Sequence, residues 1–233
     1  MKNHNGIKIE QHWDIKILND NPLYPALVID NWYTPNEEKA IWKELDFYTA
    51  TPKDKILRAE QGSVVARDEK GNPRSKAFRF YLNTYYNPES IDNGISPIFN
   101  CCYKQRTPEF HKIIEDNFKP YGRSFSCSNG DTHLISYYED NDYYAPHYDI
   151  FAWTMCIWFV REPRKFTGGD FIFNESETEI KLKHNRMLFF PSCLLHQVTP
   201  IKFKEPTDEI GYGKFTITHW YYSTPNGNPR ENK

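Results

Sequence analysis

Residues 138–149 read Tyr138-Glu139-Asp140-Asn141-Asp142-Tyr143-Tyr144-Ala145-Pro146-His147-Tyr148-Asp149, and this stretch decides how the chain is read. Its last residues suit an extended strand, on which side chains two apart point the same way. His147 and Asp149 therefore share a face. His196 follows 47 positions after the Asp, on a segment of its own. Together the three offer two imidazoles and one carboxylate to one side of a metal ion. Both imidazoles must be neutral to bind, so binding fades as they protonate at low pH.

Working outward, short runs rich in β-branched and aromatic residues are separated by turn residues. Strands are expected at 124–128, 132–139, 145–149, 154–161, 170–173, 177–182, 186–190, 196–201 and 214–222. Such spacing predicts an antiparallel sandwich or barrel. Before residue 120 the pattern is mixed. Residues 7–29 suit short strands broken at Asn21-Pro22 and Pro25. Thr34-Pro35-Asn36-Glu37 opens a helix, with Thr as N-cap, Pro at the first position and Glu closing a capping box. Ala40, Ile41, Leu45 and Tyr48 supply its apolar stripe. Residues 58–76 are charged and contain Gly62, Gly71 and Pro73, which predicts a loop or mobile hairpin. Residues 76–86 suit a strand, and a second helix starts at Thr107, carrying Phe110, Ile113, Ile114 and Phe118. The expected fold is mainly β with supporting α-helices, a double-stranded β-helix (jelly roll) with the helices on one face of its larger sheet. One domain is expected over 1–233, with 1–119 as a mixed α/β supporting layer and 120–222 as the jelly-roll core.

Composition narrows the function classes. Aromatic residues reach 16%, which favours strands over a helical bundle. A net charge of −2 with no long basic run gives no reason to expect nucleic acid or an anionic membrane as partner. No apolar stretch approaches the roughly 20 residues of a membrane span, and the polar first ten residues carry no secretory core. The five cysteines are scattered without C-x-x-C spacing, so neither a disulfide framework nor a structural zinc is indicated. A soluble, cytoplasmic protein is expected. Oligomeric state is not written in the chain.

Two His and one carboxylate on one face suit Fe(II), whose remaining octahedral positions stay open for cosubstrate and oxygen. The surrounding motifs resemble the prolyl 4-hydroxylase-like branch of the 2-oxoglutarate/Fe(II)-dependent dioxygenases. That branch has a Tyr nine before the first His, another three before it and often Pro immediately before it. Tyr138, Tyr144 and Pro146 fill these places. Asn141 stands where the family usually has Gly, and Asn tolerates positive φ nearly as well. Thr167-Gly168-Gly169-Asp170-Phe171 resembles the family's Gly-Gly-acid turn. Phe190-Pro191-Ser192, followed by His196-Gln197-Val198, resembles the strand and turn that bring in the distal His. Gly213-Lys214-Phe215-Thr216, with Trp220 six after the Lys, resembles the final strand. The likeness covers roughly residues 120–222.

The resemblance implies that His147, Asp149 and His196 hold Fe(II), and that Lys214, with Tyr138 and Thr216, holds the distal carboxylate of 2-oxoglutarate. It places Tyr144 and Trp220 beside the substrate. The implied reaction consumes O2, with ascorbate as a reductant, and releases succinate and CO2 while hydroxylating a peptidyl-proline or another amino-acid-type substrate, peptide or small molecule. Alternation supports the cosubstrate assignment, putting Lys214, Thr216, Thr218 and Trp220 on one face. A buried anion left unpaired there would cost several kcal/mol. The distal His and this Lys are 18 apart where the family has about ten, because 202–211 form an inserted loop. Lys202 and Lys204 are thus rivals, and Gly213 and Trp220 favour Lys214. Asp149 argues against a halogenase, which needs that position vacated. Collagen-type and algal prolyl 4-hydroxylases carry an Arg soon after the His-x-Asp, and here none matches, which leaves proline open as the substrate. The 58–76 segment reads equally as a lid or as a surface excursion.

Two rival readings stand beside this one. A jelly-roll binding or structural module with a vestigial site would not respond to 2-oxoglutarate. A cupin-like metalloenzyme without 2-oxoglutarate would bind metal and be indifferent to Lys214→Ala.

Overall fold

The computed structural model describes residues 12–62, 65–82, 86, 95–101 and 104–224. Its strands are β1 (Asp14–Leu18), β2 (Ala26–Asp30), β3 (Ser75–Lys76), β4 (Phe78–Tyr81), β5 (Gly130–Tyr138), β6 (Tyr143–His147) and β7 (Trp153–Phe159). They continue with β8 (Phe166–Thr167), β9 (Phe171–Phe173), β10 (Thr178–Ile180), β11 (Arg186–Pro191), β12 (His196–Val198), β13 (Lys202–Phe203) and β14 (Lys214–Tyr222). A major sheet runs β1-β2-β11-β7-β14-β5-β4 and a minor sheet β10-β9-β12-β6-β3, with β13 and β8 paired apart. Every pairing among these strands is antiparallel. The expected mainly-β jelly roll is what the chain forms.

Period-two alternation sorts the central strands between two cores. Met155, Ile157 and Phe159 of β7, Met187 and Phe189 of β11, and Phe215 and Ile217 of β14 point to the helical side. Cys156, Trp158, Leu188 and Phe190 point inward, toward the minor sheet. The helices cover the outer face: α1 (Pro35–Thr49), α2 (Pro97–Cys101), α3 (Pro108–Asn117) and α4 (Gly122–Ser126). Helix α1 has the expected capping box, Glu37 N donating to Thr34 Oγ1 (3.4 Å) and Thr34 N to Glu37 Oε2 (2.8 Å). It buries Ile41, Leu45 and Tyr48. Thr107 caps α3, which buries Phe110, Ile113 and Ile114.

The structure corrects three local expectations. Residues 124–128 are not a strand: Gly122–Ser126 is the short helix α4, wound to seat Phe125 against Phe189 (4.9 Å between ring centres) and Tyr221 (5.1 Å). The strand expected over 76–86 ends at Tyr81, and residues 83–85 lie outside the described ones, as do 7–11 of the first expected strands. The described residues of 58–76 are tied down rather than a free hairpin. Arg58 donates twice to the buried Asp142 (2.8 and 3.2 Å), Ala145 N donates to Arg74 O (2.8 Å), and Arg74 donates to Pro146 O. Among the described residues no helix is long and apolar enough to cross a membrane.

Candidate metal centre

β6 ends at His147, and β12 begins at His196; the two residues are direct partners in the minor sheet. Asp149 leaves the end of β6 and is held by its own backbone, Asp149 N donating to Ser192 O (3.1 Å). The result is a cluster in which one ligand atom from each of His147, Asp149 and His196 lies within 4.8 Å of the others. His147 Nε2 is 3.7 Å from Asp149 Oδ1, and His196 Nε2 is 3.7 Å from Asp149 Oδ2.

The hydrogen bonds decide which ring atoms face inward. His147 Nδ1 lies 3.0 Å from Ala145 O, and His196 Nδ1 lies 2.7 Å from Leu194 O. A carbonyl only accepts, so each Nδ1 carries the proton and each Nε2 presents a lone pair to the cluster. Tyr144 stacks on the His147 ring at 3.4 Å, and Phe171 on the His196 ring at 5.1 Å, which fixes both ring planes. Burial lowers the pKa of both histidines, and the neighbouring His196 adds to the effect at His147, which falls to about 3. Both are held neutral, the form that ligates. Thr154 Oγ1 (2.7 Å) and Trp220 Nε1 (2.9 Å) both donate to Asp149 Oδ2.

On the inner face of the major sheet, Lys214 is fully enclosed. It is opposite Tyr138 in the β14–β5 register, and its Nζ donates to Gly169 O (2.8 Å) and lies 5.1 Å from the Trp158 ring centre. Gly168 and Gly169 both have φ near +78°, and a Cβ on Gly169 would sit 3.3 Å from the Lys214 chain, so the Gly-Gly turn makes room for this lysine. Burial holds the Lys214 ammonium down at a pKa of about 7. Beside it, Thr216 Oγ1 and Trp158 Nε1 are buried with no hydrogen-bond partner among the described residues. A lysine and two orphaned donors on one inner wall fit an oxygen-rich anion, since unpaired buried donors are costly. Lys202 and Lys204 are exposed and spent elsewhere, on Asn141 and on Arg164 O.

Tyr138, Tyr144, Thr216 and Trp220 all line the same cavity as His147, Asp149 and His196. So do Trp158 and Arg79, which sequence reasoning passed over. Asn141 sits at φ 65°, the conformation for which Asn substitutes for Gly. A second cluster, Asp131, His133 and His219, lies buried on the opposite face of β5 and β14. There Gln105 Nε2 (3.1 Å) and the Tyr221 hydroxyl (3.0 Å) both face His219 Nδ1, while Nε2 faces Asp131 (3.4 Å), which also pairs with Arg106.

Comparison with known proteins bears out the resemblance. Residues 132–222 match the sequence profile of the 2OG-Fe(II) oxygenase superfamily. A PKHD-type hydroxylase of Herminiimonas arsenicoxydans is 30% identical over 82 residues, a match covering 29% of this chain and 36% of that protein. The chain thus spans little more than a third of that relative's length. A Pseudomonas putida prolyl-4-hydroxylase superposes with a TM-score of 0.55 at 13% identity, covering 88% of this chain and 96% of the other. NgTET1, solved in complex with 5mC DNA, superposes at 0.52 with 10% identity, covering 92% and 78%. At such identity the likeness is one of fold, and the fold serves chemically different substrates.

Proposed function

We infer that this chain, whose residues 132–222 match the 2OG-Fe(II) oxygenase superfamily, is a single-domain Fe(II)- and 2-oxoglutarate-dependent dioxygenase that hydroxylates an amino-acid-type substrate. The observation that carries this is the pair of histidines whose Nδ1 protons are spent on backbone carbonyls, so that both Nε2 lone pairs converge with Asp149. His147, Asp149 and His196 would hold the metal. Lys214, Thr216 and Tyr138, joined by Trp158, would hold the far carboxylate of 2-oxoglutarate. With both bound, the pair supplies oxidising power from O2, releasing succinate and CO2.

The residues of this chain prepare the site for that chemistry. Thr154 and Trp220 pin one oxygen of Asp149, so its carboxylate does not rotate when the substrate arrives. Tyr144 and Phe171 clamp the two imidazoles, and the aromatic lining excludes water. Lys214 exchanges its bond to Gly169 O for the incoming carboxylate and takes up a proton where it lacked one. Tyr144 and Trp220 border the reacting end. Peptide and small-molecule substrates both remain within this reading, and ascorbate is its expected reductant.

Lys214→Met separates this reading from its rivals. In metal-loaded protein, calorimetric titration should show 2-oxoglutarate binding weakened at least a hundredfold, with metal affinity unchanged. At 100 times its dissociation constant, 2-oxoglutarate should stabilise the wild type by about 2.7 kcal/mol. A variant that binds 2-oxoglutarate like wild type would point to the cupin-like reading. A wild type indifferent to 2-oxoglutarate would point to a vestigial site.

A further inference from the structure

Arg79 on β4 is 8% exposed and lines the metal-centre cavity. The sheet register explains how it gets there. Arg79 pairs with Ser136, Ser136 with Thr216, and Thr216 with Trp158, so the four form one transverse row on the inner face. Its guanidinium donates to Ser75 Oγ (2.8 Å) and lies 5.4 Å from the centre of the Tyr144 ring, which itself stacks on His147. No carboxylate lies within ion-pairing distance of Arg79 among the described residues. Three other arginines have carboxylate partners: Arg58 with Asp142, Arg186 with Asp30, Arg106 with Asp131. A guanidinium cannot shed its charge at any ordinary pH, and its five donors are made for a two-oxygen partner.

An enclosed cation without a counter-ion is costly, so its presence in the cavity calls for a negative ligand. The one carboxylate of the metal centre, Asp149, is engaged by Thr154 and Trp220. The cosubstrate does not balance the charge either. A divalent metal, Lys214 and Arg79 together outweigh Asp149 and the 2-oxoglutarate dianion by one positive charge. Arg79 also stands two strands from Thr216, about 10 Å at the usual strand spacing, beside the Tyr144 ring.

We propose that Arg79 anchors a carboxylate of the substrate, so that the molecule hydroxylated is a small free acid, such as a free amino acid, rather than an interior residue of a peptide. This rests on the dioxygenase reading above. A peptide-chain residue has no carboxylate at its own backbone to offer, whereas a free amino acid brings one within two bonds of its side chain. Ser75 positions the fork, and Tyr144 presents its face beneath it.

The test uses full-length protein loaded anaerobically with Mn(II) and 2-oxoglutarate, with acetate as the probe and acetamide as its neutral counterpart. Relaxation of the probe's methyl protons by the metal reports binding beside it. Wild type should relax acetate saturably and acetamide negligibly. Arg79→Gln should weaken acetate at least tenfold and Arg79→Lys by less, with 2-oxoglutarate affinity within threefold of wild type in both. Unliganded Arg79→Gln should melt no lower than wild type, because it loses an uncompensated charge. Should Arg79→Gln fail to fold, Arg79→Lys and the acetate–acetamide contrast in wild type decide. Equal relaxation by acetate and acetamide in wild type, or undiminished acetate binding in Arg79→Gln, overturns the proposal. A loss of 2-oxoglutarate affinity beyond threefold overturns it too, by assigning the cation to the cosubstrate. Absence of 2-oxoglutarate binding in metal-loaded wild type would instead defeat the dioxygenase reading, and this proposal with it.

Discussion

Lys214 shows how much a single side chain is asked to bear. Its folded pKa of about 7 lies far below its unfolded value of 10.5. Between those two values the unfolded chain binds more protons than the folded one, so stability rises with pH across that window. Urea denaturation of the cofactor-free protein should show this gain between pH 7 and 9.5, and Lys214→Met should flatten it. An identical pH profile in the variant would mean that the lysine is not held under strain. Binding of 2-oxoglutarate at pH 8.5 should take up close to one proton, measurable by calorimetry in two buffers of different ionisation enthalpy. His147, Asp149, His196 and Lys214 were legible from sequence because each sits in a short motif that demands its residue type. Arg79 and Trp158 were not. Their places depend on which strands pair and in which register, and neither β4 nor β7 announces in sequence that its face meets the candidate metal centre.

Elements were legible where local and tertiary preferences agree. Helix α1 carries its cap, its proline and its stripe in one continuous run, and Thr34→Ala should cost about 1 kcal/mol. Helix α4 is where they disagree. Ser124-Phe125-Ser126-Cys127-Ser128 alternates like a strand, yet it winds so that Phe125 fills the gap between Trp153, Phe189 and Tyr221. Trp153 Nε1 then donates to Ser124 Oγ (2.8 Å). Gly122 is needed at its start, because a Cβ there would meet Ile114 O at 2.4 Å. Phe125→Ala should therefore destabilise by about 3–5 kcal/mol, while the exposed Arg123→Ala should change stability by about 0.5 kcal/mol or less. Equal small effects at both positions, by denaturant titration, would contradict the packing assigned to this helix.

Across the whole molecule, the jelly roll brings together groups far apart in sequence and then withholds them from water. His147 and His196 have folded pKa values below the ordinary 6.5 because burial disfavours their charged forms. Below pH 6.5 the unfolded chain therefore takes up protons that the folded one refuses, so the metal-free protein should lose stability as pH falls from 6.5 toward 3. Replacing both histidines with Gln should reduce that loss, and an unchanged acid limb would assign it to the carboxylates instead. The broad fold was legible because turn spacing and alternation repeat through residues 130–222, whereas the contribution of β1 to β4 to both sheets depends on long-range pairing alone. The central claim concerns one centre, and anaerobic titration of Fe(II)-loaded protein with 2-oxoglutarate tests it most directly. A weak visible metal-to-ligand charge-transfer band should grow to saturation in wild type and be lost or shifted in Asp149→Ala. Bound iron with no band in wild type would contradict the account.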